Sequence, residues 1–72
     1  MGVQRIIWVS PFANGWTVWC AGIEPLVFRS GGRAEAHAKR LAACLARLGR
    51  AVQVRILDRS SNLVAAQLYP AG

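Results

Sequence analysis

The sequence predicts an α+β domain: a four-stranded antiparallel sheet with one helix packed on one face, in the order ββαββ. Three observations predict it. Two runs rich in β-branched and aromatic residues, QRIIWV (4–9) and WTVWC (16–20), flank a turn-forming segment. One run, RAEAHAKRLAACLARL (33–48), is built from strong helix formers. Beyond it, AVQVRIL (51–57) alternates with the two-residue period of a strand, and LVAAQLY (63–69) follows a polar turn. The 72 residues fit a single domain, 1–72. A chain of this length buries only about 60% of the surface its unfolded form exposes, so its core is marginal.

The elements follow in order. Between the first two strands, SPFANG (10–15) holds a proline and then Asn14-Gly15, a hairpin signal, so these strands are expected to be antiparallel. In the next segment, AGIEPLVFRSGG, Pro25 breaks the pattern; Leu26, Val27 and Phe28 form either a short strand extension or an apolar loop on the core. Ser30 or a neighbouring glycine caps the helix start, Glu35 favours its first turn, and Gly49 suits the left-handed position that ends it. Ala34, Ala38, Leu41, Leu45 and Leu48 recur at steps of three and four and form the expected core stripe. DRSSN (58–62) is a turn organised by Asp58 and Asn62, and Pro70 stops the last strand.

Side chains on a strand alternate between faces, so Trp16 and Trp19 point to opposite sides. The helix covers one face only. Val52, Val54 and Ile56 face it, as do Trp16, Val18 and Cys20, and on the first strand Ile7 and Val9. The uncovered face then carries Gln4, Ile6, Trp8, Thr17, Trp19, Gln53, Arg55 and Leu57. Two fates suit such a face. It is a protein contact, with a homodimer formed through the uncovered sheet face or a sheet edge, or it is a platform on which nucleobases stack.

Charge bears on the second fate. Nine Lys and Arg oppose three Asp and Glu, a net charge of +6, and eight of the nine are arginine. A basic balance favours acidic partners and polyanions, and equally serves solubility. Arg33, Arg40 and Arg47 repeat every seven residues and share one helix flank, either a ridge for a phosphate backbone or an ordinary solvated face. Among them stand alanines rather than the Asn, Gln or Ser that read base edges, which argues against sequence-specific DNA reading. The surface expected to meet a partner or nucleic acid is therefore Trp8, Trp19, Arg55, Arg33, Arg40 and Arg47.

Chemistry has little to work with. His37 and Cys44 lie seven residues apart on the helix, about 10 Å, too far for a nucleophile–base pair. Both read as half-buried packing residues, as does Cys20. Glu24, Glu35 and Asp58 are scattered, and two cysteines without CxxC spacing build no metal site. SGGR before the helix lies in no phosphate-binding pattern. The expectation is a non-enzymatic protein with no catalytic residue, metal or cofactor. The early apolar run is cut by Pro11 and is too short for a signal core or a membrane span, which gives a cytoplasmic expectation with no membrane partner.

WVSPFANGWTVWCAG, GGRAEAHAKRLAACLARLG and VQVRILDRSSNL together resemble a family of short bacterial proteins, domain of unknown function 2188. The matching positions are Val9, Pro11, Gly15, Trp16, Val18, Glu35, Ala36, Ala42, Val52, Val54, Ile56 and Asp58. The sequence departs from the family pattern at Trp19, where a charged residue is usual, and at SSN, where a glycine is usual. The resemblance implies a bacterial protein with a ββαββ fold and supplies no activity.

Overall fold

A computed structural model describes residues 5–72. The elements are β1 (Arg5–Phe12), β2 (Gly15–Cys20), β3 (Ile23–Phe28), α1 (Gly31–Arg47), β4 (Val52–Leu57) and β5 (Leu63–Tyr69). Gln4, expected at the start of the first strand, lies outside the described residues. The fold is α+β with one helix, as expected. The sheet, however, has five strands in the order β3-β2-β1-β4-β5, and it is mixed, not antiparallel throughout. β1 pairs antiparallel with β2 and parallel with β4.

Both differences have one cause. Pro25 reads as an interruption, but β3 is an edge strand, where the missing N–H of proline leaves no ladder bond unmade. The turn that launches β3 is the pair Ala21-Gly22, with Gly22 at φ +83°. Adding β3 reverses the direction in which the chain enters the helix. It therefore reverses β4, which comes to lie parallel to β1, and α1 supplies the crossover that a parallel pair requires. The observed order is βββαββ rather than ββαββ.

The first hairpin also turns one residue earlier than expected. Phe12 pairs with Gly15, so Ala13 and Asn14 form the turn, Ala13 at φ +51°. Gly15 sits in the strand instead. A Cβ built there would stand 2.3 Å from the Phe28 carbonyl oxygen, so glycine is what lets β2 and β3 close. The second hairpin is held by Asp58. Its backbone N–H donates to the Asn62 carbonyl at 2.9 Å, and its Oδ1 accepts from the N–H groups of Ser60 (2.8 Å) and Asn62 (3.0 Å).

Ser30 caps α1, its hydroxyl accepting from the Arg33 N–H, and Gly49 takes a left-handed φ of +91° beyond the helix end. Glu35 lies past the first turn and pairs with Lys39 at 3.0 Å. The buried row of the helix is Ala34, Ala38, Ala42 and Ala46, every fourth residue. Leu41 and Leu45 flank this row half-buried, whereas Leu48, expected in the stripe, caps the helix and is 73% exposed. Small side chains let the helix lie close over the middle of the sheet. Ile7 and Val9, Val18 and Cys20, and Val52 and Val54 meet it there, and the largest fully buried side chains are isoleucine and valine.

Candidate functional site

Among the described residues, none covers the sheet face opposite the helix. Its centre is one rung that crosses four strands: Trp19 on β2 lies opposite Trp8 on β1, Trp8 opposite Arg55 on β4, and Arg55 opposite Ala66 on β5. Strand alternation puts these four on the side away from Ile7, Val9 and Val54. The indoles of Trp8 and Trp19 stack with centroids 6.2 Å apart and planes 18° from parallel. The Arg55 guanidinium carbon lies 5.2 Å from the centre of the Trp8 ring, within cation–π range. Arg55 Nε also donates to Gln53 Oε1 at 2.6 Å, and Gln53 is two residues away on the same face. The guanidinium is thus oriented by a neighbour and kept over the ring. Trp19, the outermost member of the stack, is 42% exposed.

Trp16 lies on the other side, half-buried beneath the helix start, with the Arg59 guanidinium 4.9 Å from its ring centre. One tryptophan therefore helps fill the core and two build a surface, as the alternation requires.

Beside the indole pair the surface dips into an open cleft of about 480 Å³, walled by Trp8, Trp19 and Ile6 and ringed by Arg5, Ala21 and Arg50. Arg5 Nη1 donates to the Ala21 carbonyl at 3.3 Å. Sequence reasoning missed Arg5 and Arg50. Both reach this end of the sheet because β1 and β4 run parallel and start side by side, with Arg5 opposite Val52. Nothing in residue spacing reports that pairing.

Of the surface expected from sequence, Trp8, Trp19 and Arg55 come together. Arg33, Arg40 and Arg47 are exposed on the helix, across the sheet from the indoles, and form no common surface with them. His37 packs against Phe28, with ring centroids 5.3 Å apart, while Cys44 is exposed rather than half-buried and Cys20 is buried. Among the described residues no group of three His, Cys, Asp or Glu side chains gathers at a possible metal position. No helix of the described residues is long and apolar enough to cross a membrane.

Comparison of the chain with known protein families, with curated proteins and with solved structures finds no match.

Proposed function

We propose that the chain is a small non-enzymatic module for protein contact, which associates with itself through the uncovered sheet face or a sheet edge. One observation carries this reading: several large apolar side chains stand in water on the uncovered face and along β5. The fully buried centre is alanine, valine, isoleucine and cysteine, with Trp16, Phe28, Leu41 and Leu45 half-buried around it, while Trp19, Val27, Leu63, Val64 and Leu68 are all exposed by 42% or more. Large apolar side chains exposed together on one sheet face and its β5 edge mark a site of interaction. Trp8 and Trp19 stand at its centre, and indoles are the side chains most enriched where interfaces bind strongly. We further propose that the module is bacterial, as the resemblance of its motifs to a family of short bacterial proteins implies, and cytoplasmic, as its short, proline-cut early apolar run implies.

A second reading has its own support. Arg5, Arg50 and Arg55 surround the indole pair, and β1, β2, β4 and β5 contain no acidic residue. That composition fits a single nucleic-acid strand, with bases on indole and phosphates on arginine.

Salt separates the two. Copies carrying +6 repel each other, so raising NaCl should strengthen apolar self-association. The same change should weaken nucleic-acid binding through counterion uptake. Sedimentation equilibrium from about 1 μM to 1 mM should show reversible association, tighter at about 0.5 M NaCl than at 0.05 M. A monomer across the whole range would overturn the first reading. A labelled single strand that binds more tightly than about 10⁻⁴ M, with affinity falling as salt rises, would favour the second.

A further inference from the structure

The two edges of the sheet are unlike. β3 carries Glu24 and Pro25, and its register against β2 slips between Val18 and Cys20. Charge, proline and a bulge are the devices by which sheets blunt an edge against strand addition. β5 has none of the three along most of its length. Leu63–Tyr69 contains no charge, proline or glycine, and its one register shift lies at its entry, opposite Ile56 and Leu57. Leu63 to Leu68 are exposed, and β5 ends the strand order, so no described strand lies beyond it. The sheet is guarded on one side and open on the other.

The open edge is also complementary to itself. A two-fold axis at Ala66 would set Ala66 opposite its own counterpart, Val64 opposite Leu68, Ala65 opposite Gln67 and Leu63 opposite Tyr69. All seven residues of the strand are then paired, no charge faces another, and the smallest side chains meet at the axis. For a protein of net charge +6, this is the strand along which two copies approach without like charges meeting. A foreign strand would need charges on β5 to select it by ion pairing, and Leu63–Tyr69 carries none.

We propose that β5 is the seam between two copies of this chain, joined as antiparallel strands in one continuous ten-stranded sheet. The proposal rests on the self-associating reading above and names the contact. Its two-fold axis is normal to the sheet, so both helices lie on one side and both Trp8–Trp19–Arg55 rungs on the other. The seam enlarges the bare face instead of covering it.

The test is sedimentation equilibrium on the wild-type chain, Ala66→Arg and Trp19→Glu, with circular dichroism to confirm folding. Ala66→Arg brings two guanidinium groups together at the axis, each beside the Arg55 of its own protomer, and should weaken the dimer by about tenfold or more, while Trp19→Glu leaves it unchanged. Should Ala66→Arg fail to fold, Ala66→Cys in a Cys44→Ser background gives a second measurement. On oxidation it should form a disulfide-linked dimer, and Leu48→Cys in the same background should not. A dimer that survives Ala66→Arg but falls with Trp19→Glu overturns the seam and leaves self-association standing. Equal cross-linking of both cysteine variants likewise overturns the seam. A wild-type chain that is monomeric at every concentration overturns both.

Discussion

Trp19 concentrates the contrast between this chain's composition and its core. Its ring rests on Trp8 but stays 42% exposed, on the face away from the helix. Trp19→Ala should therefore keep the fold and cost about 2–3 kcal/mol, the value of an aromatic pair plus partial burial, in a urea titration. The near-ultraviolet circular dichroism of the stacked indoles should fall in the same variant. Complete unfolding would mean that the ring supports the monomer. The outward placement of Trp8, Trp19 and Arg55 was legible from two-residue alternation alone, because one face of a strand follows once the other is assigned. Arg5 and Arg50 were not legible. Their meeting with the indoles depends on which strands are neighbours, a property of the whole chain rather than of its spacing.

Elements were legible where composition and periodicity agree. The span 63–69 is found as expected for β5, and α1 and β4 differ from expectation by two residues or fewer at each end. β3 was ambiguous because Pro25 is a breaker inside a strand yet tolerable at an edge, and the sequence does not say which strands are edges. The helix stripe was displaced because leucine outweighs alanine in any reading by hydrophobicity. Seating against a sheet instead favours the residue that permits closest approach, and the alanine row at 34, 38, 42 and 46 took the centre. Gly15 shows the same preference for closeness. Gly15→Ala would drive a methyl group into the Phe28 carbonyl, separating β2 from β3. It should destabilise the chain by about 2 kcal/mol or more in denaturant, above the ordinary cost of a surface substitution. A neutral effect would mean that β3 is not held against β2 in solution.

At the scale of the molecule, one helix of 17 residues, roughly 25 Å long, is the only layer that the described residues set against five strands. It seals the middle of the sheet on one side and leaves the other side and both rims in contact with water. The fold class was readable because a single helical run can make only one such layer. Strand number and direction were not, since a single unrecognised strand inverts the polarity of everything after it.

The parallel pairing of β1 with β4 has a kinetic consequence. The meander β1-β2-β3 and the hairpin β4-β5 each zip up from tight turns, but the rungs from Arg5–Val52 to Val9–Ile56 join residues 47 positions apart in the chain. Closing that distance is the expected slow step of folding, because its entropy is lost before any contact repays it. Val54→Ala, in the middle of this pairing, should then slow refolding in stopped-flow measurements, whereas Leu68→Ala on the outer hairpin should chiefly hasten unfolding. The protein would be assembled as two independently formed halves, with its last commitment made along its central line.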